Sequence, residues 1–472
     1  MSIAVVERAG QVVRRNIPGE RFTPFGLAKK LKARVLLESA SFRGGRERYS
    51  ILVLKEAFAI VETREGIFME KGGKRHRVKN GGKDLLSVLL YFADQHAGES
   101  NDFPFPVGGA GYMSYEYAST FDTVRLLEKS DPLKVPEAHF IFGHVYVVFD
   151  HYTDTITLIG VNYKEAHTDL ERELRETEER INDLDFNYLN GKPADTRAVL
   201  LSSPAERDDY IAGVKKVKEE IVKGNLLQGV LSRRLVYRTD IAALEAYRNL
   251  RSFNPSPYMF YLDFGGFQLF GSSPEVHVKV KDGRATMRPI AGTRPRGATD
   301  AEDKRLEAEL LADEKEKAEH LMLVDLARND LGRICVPGSV RVTESGVIEK
   351  YSHVMHIVSQ VEGDLSPERR GIEAIRATFP AGTVSGAPKI RAMEVIDSLE
   401  REKRGFYAGL VGYLEPGGNL ETCITIRSAL KIGDRLVLQA GAGIVYDSVP
   451  EREYDETSAK LRALCKSIGV EV

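Results

Sequence analysis

Patterns typical of strands and of helices follow one another along this chain without regular alternation. Most of the first 190 residues resemble strands joined by glycine-rich turns, and an apolar run at 140–149 predicts a buried strand. Helical patterns occupy residues 168–182 and 209–224, and they recur towards the end of the chain. This order favours an α+β fold over a doubly wound α/β sheet, in which strands and helices alternate.

Local signals predict two helix starts and one hairpin. Thr299 with Glu302, and Ser448 with Glu451, have the spacing of a capping box. They predict one long helix that runs from the first box towards residue 331, and a last helix that begins at the second box. A Gly-Gly pair at 265–266 lies between two apolar segments and predicts a hairpin.

A polar stretch rich in Gly and Pro, residues 190–196, interrupts the chain. It has no hydrophobic periodicity, and we place a domain boundary there, between residues 1–195 and 196–472, or just beyond it at 202–204. The 472 residues exceed the roughly 100–200 of a typical domain, so two parts are expected.

Composition excludes several classes of function. With 67 basic and 69 acidic residues, the net charge of -2 favours neither nucleic acid nor an anionic membrane surface as a partner. The first residues lack the plan of a signal peptide, and no apolar run approaches the ~20 residues of a membrane helix. The three cysteines are far apart in sequence, which argues for a reducing compartment and against structural zinc. We therefore expect a cytoplasmic protein.

Two sets of carboxylates have helical spacing. Glu316 and Glu319 share one helix face, and Glu453 and Glu456 share another face with Lys460. If the two faces met, they could hold Mg²⁺, which takes one or two carboxylates and keeps several waters. From spacing alone, however, a solvated acidic face is the more common explanation.

Other segments have features of an anion site. Residues 439–443 (Gln-Ala-Gly-Ala-Gly) let a ligand approach the backbone, and residues 378–389 form a donor-rich helix start. Arg427 ends an apolar strand and can clamp a carboxylate. His356 suits a general base, whereas His353 would point to the opposite face of the same strand. Each has an ordinary alternative: a tight turn, a helix cap, a salt bridge or a core histidine.

Three longer segments resemble the chorismate-utilising enzymes: 319–330 (Glu-His-Leu-Met-Leu-Val-Asp-Leu-Ala-Arg-Asn-Asp), 379–390, and 439–444 with 447–450. The resemblance is strong over about residues 205–465 and looser in the N-terminal part. It implies two packed antiparallel β-sheets with helices outside, an active site in a cleft, and Mg²⁺ as cofactor.

Two positions distinguish members of this family. Its water-using members carry a Lys near Gln228 that deprotonates water, whereas an amide accepts no proton near neutral pH. Aminodeoxychorismate synthases often carry a Lys where this chain has Ala291, and that amine can attack the ring. The segment 289–293 (Pro-Ile-Ala-Gly-Thr) therefore resembles the anthranilate synthase version, in which ammonia attacks C2 of chorismate and pyruvate is then lost.

The resemblance implies a role for each matching residue. Glu275 would protonate the departing C4 hydroxyl, which requires a raised pKa, and His356 would act in the loss of pyruvate. Thr383 completes the implied catalytic set. The implied metal ligands are Glu319 and Glu456, supported by Glu316 and Glu453. The implied substrate contacts are Gly292, Thr293, Tyr407, Arg427, Gly441, Ala442, Gly443 and Lys460. The family commonly has Asn where this chain has Ser458, a departure that concerns the surroundings of Lys460.

The same resemblance implies regulation and a partner. The chain from 1 to 195 would help to bind tryptophan as a feedback inhibitor, and 196–472 would bind chorismate. The implied tryptophan contacts are Glu38, Ser39, Pro257, Tyr258, Met259, Val411 and Tyr413. Because the sequence contains no Cys/His/Glu glutaminase unit, we expect ammonia from a separate glutamine amidotransferase subunit in a hetero-oligomer. The alternatives are an aminodeoxychorismate synthase, which aminates C4, and a non-catalytic amino-acid sensor.

Overall fold

The computed structural model describes residues 11–39, 48–99, 102–183, 185, 198–201, 206–351 and 354–470. Over these residues it contains twenty-two β-strands in one hydrogen-bonded network, together with eleven α-helices. The strands up to residue 200 are β1 (Val12–Pro18), β2 (Val35–Glu38), β3 (Tyr49–Thr63), β4 (Gly66–Lys71), β5 (Lys74–Arg77), β6 (Ala110–Met113), β7 (Ala138–Asp150), β8 (Thr155–Val161) and β9 (Ala198–Leu200).

The later strands and the helices complete the fold. The strands are β10 (Gln228–Thr239), β11 (Tyr258–Asp263), β12 (Gln268–Ser273), β13 (Val276–Lys281), β14 (Arg284–Met287), β15 (Ile290–Pro295), β16 (Arg341–Lys350), β17 (Val354–Asp364), β18 (Gly386–Ala387), β19 (Leu410–Leu414), β20 (Leu420–Ile424), β21 (Ser428–Ile432) and β22 (Arg435–Ile444). The helices are α1 (Pro24–Leu31), α2 (Leu85–Asp94), α3 (Ala118–Phe121), α4 (Leu170–Asn182), α5 (Glu206–Val222), α6 (Ala243–Phe253), α7 (Asp300–Ala312), α8 (Glu314–Gly332), α9 (Ile372–Thr378), α10 (Lys389–Leu399) and α11 (Pro450–Ser467).

The long strands β3 and β7 divide the network into two antiparallel sheets. Their ladder shifts register between Val53 and Phe58, and this irregularity lets each half belong to a different sheet. The first sheet runs β1-β8-β7-β3-β2-β11-β12-β21-β22-β10, with β9 and β18 beyond it. The second runs β5-β4-β3-β7-β6-β19-β20-β13-β14-β17, with β15 and β16 on the two sides of β17.

The two sheets pack face to face through a large apolar core. Tyr112 on β6 of the second sheet contacts Phe264 and Phe267 in the β11–β12 turn of the first, with ring centroids 5.3 and 6.0 Å apart. The predicted buried strand at 140–149 is the centre of β7, where residues 138–149 are buried. The α+β prediction with two packed antiparallel sheets is confirmed.

The N-terminal and C-terminal parts share both sheets. Strand β2 pairs with β11, and β6 pairs with β19, so hydrogen-bonded ladders join the chain before residue 195 to the chain after it. Separate roles for 1–195 and 196–472 stay a prediction. Residues 186–197, which hold the predicted boundary, lie outside the described residues.

The predicted length of one helix and the predicted cap of another need correction. The long helix expected from Thr299 is two helices, because Asp313 leaves helical geometry (φ -71°, ψ 108°) and its side chain caps α8 instead. At the last helix, Ser448 is not the cap: its hydroxyl accepts from the Val445 amide, and Val449 precedes Pro450 without a side-chain cap. The first box is correct, since the Thr299 hydroxyl accepts from the Glu302 amide.

The predicted hairpin at 265–266 joins β11 to β12. Within the described chain, none of the helices is both long enough and apolar enough to span a membrane.

Candidate active site

Helix α8 packs against β15 and β17 and directs a carboxylate towards the start of β10. The Gln228 amide donates to Glu319 Oε1 at 3.0 Å. Burial raises the pKa of Glu319, an effect that the Gln228 hydrogen bond opposes. The nearby carboxylates of Glu316 and Glu456 raise this pKa further. The acidic face of α8 is therefore close to the acidic face of α11.

Helix α11 contributes the other carboxylates. Lys460 forms an ion pair with Glu456, with 2.7 Å between Nζ and Oε1, and donates to the Gly441 carbonyl at 2.9 Å. Burial raises the pKa of Glu453, and the Glu456 carboxylate acts in the same direction. Because the Glu456 carboxylate acts on both Glu319 and Glu453, the two faces predicted from spacing form one carboxylate cluster.

This cluster has the donor chemistry of a magnesium site. Its atoms are carboxylate oxygens, and Mg²⁺ needs only one or two of them because it keeps water and binds substrate oxygens. Arg294 holds Glu316 Oε1 at 3.1 Å, so Glu316 is already partly neutralised, whereas the Glu319 carboxylate accepts, from the residues that the structure describes, only the hydrogen bond of the neutral Gln228 amide. No group of three or more His, Cys, Asp and Glu assembles as a metal site among the described residues. The residues present therefore fit a magnesium site with few protein ligands.

The glycine segment lies inside β22 and not in a turn. The β21–β22 ladder stops at Leu438, so one edge of β22 is open beyond that residue. Ser232, opposite Gly441, donates its amide to Glu400, and Val230, opposite Gly443, donates to the Ser385 carbonyl. Neither amide bonds to β22. The backbone groups of Gly441 and Gly443 therefore face the open edge, while those of Ala442 face β10.

Both glycines have close neighbours. A Cβ on Gly443 would lie 2.6 Å from Gln228 Nε2, and one on Gly441 would lie 2.9 Å from Tyr407 Oη. Burial raises the pKa of Tyr407 to about 12, so its hydroxyl stays protonated. The small residues thus allow the open edge of β22, Tyr407 and the carboxylate cluster to come together.

Arg427 has no counter-ion among the residues that the structure describes. It follows the end of β20, with a left-handed φ of 51°, and its side chain forms no ion pair or hydrogen bond with any described residue. Burial lowers the pKa of Arg427, while the nearby Tyr407, Glu456 and Glu275 oppose this. A half-buried, unpaired guanidinium is a ready partner for a ligand carboxylate.

Glu275 is a carboxyl held in its neutral form. Burial raises the pKa of Glu275 to about 8, although the Thr383 hydroxyl and the Arg427 charge act against it. The buried Thr383 Oγ1 has no hydrogen-bond partner of normal geometry. The two residues line a cavity between α8 and the turn Gly382–Val384, next to Pro289. At neutral pH this carboxyl can donate a proton.

His356 on β17 lies opposite Thr293 in the β15–β17 ladder. Its Nδ1 lies 3.1 Å from the Gly292 carbonyl oxygen and 3.0 Å from Thr293 Oγ1. Burial lowers the pKa of His356 to about 4, so the ring is neutral at pH 7. Because a carbonyl can only accept, Nδ1 carries the proton and Nε2 keeps its lone pair. The companion His353 lies outside the described residues.

Gly292 sits where β15 is irregular. The register with β17 shifts between Ala291 and Thr293, and Gly292 has a left-handed φ of 70°. A Cβ at Gly292 would be 3.1 Å from Glu316 Oε2. The buried Ala291 methyl group offers no nucleophile, in agreement with the sequence analysis.

The predicted tryptophan residues lie at the junction of the two sheets. Glu38 on β2 is opposite Met259 on β11, and its buried carboxylate accepts from Tyr247 Oη at 2.7 Å and pairs with Arg251 at 3.0 Å. The hydroxyls of Tyr258 and Tyr413 both donate to Glu421, at 3.1 and 3.3 Å. Ser39 follows β2, Pro257 precedes Tyr258, and Val411 is buried on β19. These residues come from both parts of the chain.

The residues beneath the site were not predicted from the sequence. Arg404 is buried, pairs with Glu400 at 2.8 Å, and donates to the carbonyls of Val384 and Val230. Its guanidinium lies 5.6 Å from the Tyr407 ring centroid. Arg404 thus ties together the Thr383 turn, β10 and Tyr407. The i,i+4 spacing of Glu400 and Arg404 can be seen in the sequence, but such pairs are common on helices and do not indicate a functional site.

Known proteins match this chain over almost its whole length. The model of the chorismate binding enzyme family matches residues 58–466. Anthranilate synthase component 1 of Spirochaeta aurantia is 59% identical, over 98% of this chain and 96% of that protein. Aminodeoxychorismate synthase component 1 of Bacillus subtilis is 39% identical, over 94% and 93%. The crystal structure of anthranilate synthase component I from Streptococcus pneumoniae is similar, with a TM-score of 0.80 and 36% identity over 89% of this chain and 92% of that one. By its sequence and its fold, the chain belongs to the chorismate binding enzymes and, within them, to the anthranilate synthase component 1 group.

Proposed function

We propose that this chain is a lyase that converts chorismate and ammonia to anthranilate and pyruvate. One observation carries the proposal: a neutral carboxyl, Glu275, and an unpaired guanidinium, Arg427, share a cleft with the carboxylates of Glu319 and Glu456. Such a cleft suits a dicarboxylate whose hydroxyl must leave as water.

Substrate binding follows from the charges. Arg427 and the Tyr407 hydroxyl bind one carboxylate of chorismate, and the open edge of β22 at Gly441 and Gly443 supplies backbone donors. Glu319 and Glu456 would hold Mg²⁺, whose chemistry when bound is to offset the negative charge of the ring carboxylate and orient it. Lys460 keeps Glu456 in place and reduces the repulsion between the carboxylates.

The first chemical step is amination. The lone pair of ammonia forms a bond to C2 of chorismate, the two ring double bonds shift from C1–C2 and C5–C6 to C1–C6 and C4–C5, and the C4–O bond breaks. The new C2 ammonium group then loses one proton. Glu275 donates the proton with which the C4 hydroxyl leaves as water, and this requires the neutral form that burial gives it. Ammonia brings its own lone pair, so the attack needs neither a base at position 228 nor an amine at position 291.

The second step removes pyruvate and makes the ring aromatic. The proton on C2 is abstracted and the bond between the ring and the enolpyruvyl oxygen breaks, while the enolpyruvyl group gains a proton. The neutral His356 is a suitable base because Gly292 holds the proton on Nδ1 and leaves Nε2 to accept. The Thr293 and Thr383 hydroxyls line the ring.

Product identification tests the activity. The purified chain is incubated with chorismate, Mg²⁺ and an ammonium salt, and 2-aminobenzoate is followed by its fluorescence. Formation of 4-amino-4-deoxychorismate instead would establish the aminodeoxychorismate synthase alternative. No turnover of chorismate would favour the amino-acid sensor, an alternative that the presence of Glu275, His356 and Arg427 together already disfavours.

We also propose the regulation and partner that this activity needs. Tryptophan binds beside the end of the β2–β11 pair, near Ser39, Pro257 and Tyr258, and inhibits the enzyme, so residues 1–195 act in regulation and 196–472 in catalysis. Adding tryptophan to the ammonium assay tests this, with Ser39→Ala expected to weaken inhibition while kcat stays constant. The working enzyme is a cytoplasmic hetero-oligomer with a glutamine amidotransferase subunit.

A further inference from the structure

A cavity of about 430 Å³ lies at one end of the β10–β22 pair. Its walls are the loop from β10 to α6, the turn from β21 to β22, and side chains of β11 and β12. Arg435, next to this cavity, and Gly441 in the active site lie six residues apart on β22, a span of roughly 20 Å. The volume is that of a small-molecule site, and the cavity is remote from the cleft described above.

Lys431 brings a buried ammonium group to the cavity. It lies opposite Gln268 in the β12–β21 ladder and is 5% exposed. Its Nζ donates to the carbonyls of Thr239 and Gly433, each at 2.7 Å. An ammonium group has three N–H donors, and the part of the chain that the structure describes accepts two of them. The third is available to a group inside the cavity.

The hydroxyl of Tyr261 is a second donor at the cavity. The backbone of Tyr261 lies between Leu36 of β2 and Phe270 of β12, so its side chain, and not its backbone, lines the cavity. Tyr261 is 8% exposed, and its Oη forms no hydrogen bond with any residue that the structure describes. Burial raises the pKa of Tyr261, so the hydroxyl keeps its proton. A buried donor that lacks an acceptor costs free energy, and a ligand oxygen would remove that cost.

The start of α6 adds backbone donors. Ala242 precedes the helix without a side-chain cap, and its carbonyl accepts from the third and fourth helical amides. The first two amides, those of Ala243 and Leu244, bind no acceptor among the described residues, and both residues line the cavity. Free amides at a helix N-terminus favour a negatively charged group. A carboxylate in the cavity would thus meet three kinds of donor: ammonium, hydroxyl and backbone amide.

The cavity also contains negative charge. Burial lowers the pKa of Lys431, and the nearby carboxylates of Asp434 and Asp240 oppose this. Asp434 pairs with Arg238 at 3.3 Å, whereas Asp240 forms no ion pair with any described residue. A purely anionic ligand would be repelled by Asp240, and a purely cationic one by Lys431. A ligand that carries both charges is complementary to both groups.

We propose that this cavity is a binding site for a small zwitterionic amino acid. The carboxylate of the ligand accepts from Lys431, Tyr261 and the start of α6, and its ammonium group pairs with Asp240. An α-amino acid carries its two charges on one carbon atom, which suits a cation and a carboxylate as close together as Lys431 and Asp240. None of the residues that line the cavity belongs to the proposed active site or to the proposed tryptophan contacts.

Calorimetric titration of the purified chain with glycine, L-serine and L-leucine tests the proposal, with acetate and methylamine as ligands of a single charge. At least one amino acid should bind, and acetate and methylamine should bind at least about tenfold more weakly. Tyr261→Phe should raise the Kd of the amino acid about 2- to 10-fold, as loss of one neutral hydrogen bond implies. Asp240→Asn should raise it about 10- to 100-fold, because a charge-assisted bond is lost. Both variants should keep the urea midpoint and the ammonium-dependent kcat of the wild type.

Tyr152→Phe and Asp208→Asn are the matched controls, since Tyr152 is 71% exposed in the β7–β8 turn and Asp208 is exposed on α5. Neither should change the Kd. The amino acid should still bind when tryptophan is saturating. Loss of binding under that condition, with an unchanged Kd in Tyr261→Phe and Asp240→Asn, would place the amino acid in the tryptophan site and overturn the proposal. Binding of none of the three amino acids, or of acetate as tightly as an amino acid, would overturn it as well.

Discussion

Replacing Glu275 by Gln should make the protein more stable and the enzyme much slower. In the folded chain burial raises the pKa of Glu275 to about 8, whereas in the unfolded chain the carboxyl has its ordinary value of 4.5. Above pH 8 folding must therefore bury a carboxylate that water would solvate, which costs about 5 kcal/mol. At pH 7 Glu275 is protonated in about nine-tenths of the folded molecules, and its burial still reduces the free energy of unfolding by about 3 kcal/mol.

The sign of the pH dependence follows from these values. The wild-type chain is destabilised by Glu275 as pH rises from about 4.5 through the folded pKa of about 8, and the cost vanishes below that window. A neutral Gln removes this contribution. The unfolding free energy of Glu275→Gln should therefore exceed that of the wild type by an amount that grows as pH rises, and the two proteins should be about equally stable near pH 4.5. Without an acid for the C4 hydroxyl, kcat should fall by roughly 10²- to 10⁴-fold.

Urea unfolding between pH 5 and 9, with the ammonium assay at one pH, measures both effects. Glu62→Gln is the control, because burial raises the pKa of Glu62 to about 7 on β3, outside the proposed active site. It should show a smaller gain in stability with rising pH and an unchanged kcat. Parallel pH curves for wild type and Glu275→Gln would refute the buried neutral carboxyl, and an unaltered kcat would refute its role as acid.

Three other substitutions test separate parts of the site. Arg427→Met should raise KM for chorismate roughly 30- to 150-fold in steady-state assays, since about 2–3 kcal/mol of charge-assisted hydrogen bonding is lost; because the guanidinium is unpaired, the urea midpoint should not fall. Gly443→Ala puts a methyl group 2.6 Å from Gln228 Nε2 and displaces it from Glu319, so Mg²⁺ titration should show a half-maximal concentration about tenfold higher. His356→Met should slow pyruvate loss, so that the aminated intermediate accumulates in chromatograms; unchanged anthranilate formation would remove His356 from the mechanism.

The fold class and the acidic helix faces could be predicted because both depend on local patterns. Element order along the chain is sufficient to choose α+β, and the spacing of Glu316 with Glu319 is sufficient to put them on one face. The break at Asp313 was not predictable in this way, because the helical pattern continues on both sides of it. There the side chain of Asp313 stabilises a new helix start and also binds Arg294, and neither contact has a periodic signature.

The meeting of distant residues needed the family resemblance rather than any pattern. Glu319 and Glu456 are over a hundred residues apart, and only the pairing of β10 with β22 brings α8 and α11 together at Gln228. The same holds for the two sheets: the register shift in β3 that separates them coincides with Lys55 and Glu56 in an otherwise apolar strand, but two charged residues do not by themselves predict a change of sheet. Long-range pairing is set by the sum of many contacts, and no single motif carries it.

Strain at two non-glycine residues shows that the site is built in advance of its ligand. Ala408 and Arg427 both have left-handed backbone, with φ of 62° and 51°, at a cost of about 1–3 kcal/mol each. Backbone hydrogen bonds hold both: Ala408 donates to Thr425, Thr425 donates to Gly409, and Ser272 donates to the carbonyl of Arg427. The directions of Tyr407 and Arg427 are thus set by the sheets before substrate arrives. A glycine at 427 would remove both the backbone strain and the desolvated charge. The residue that this backbone favours most is therefore one that cannot bind the carboxylate.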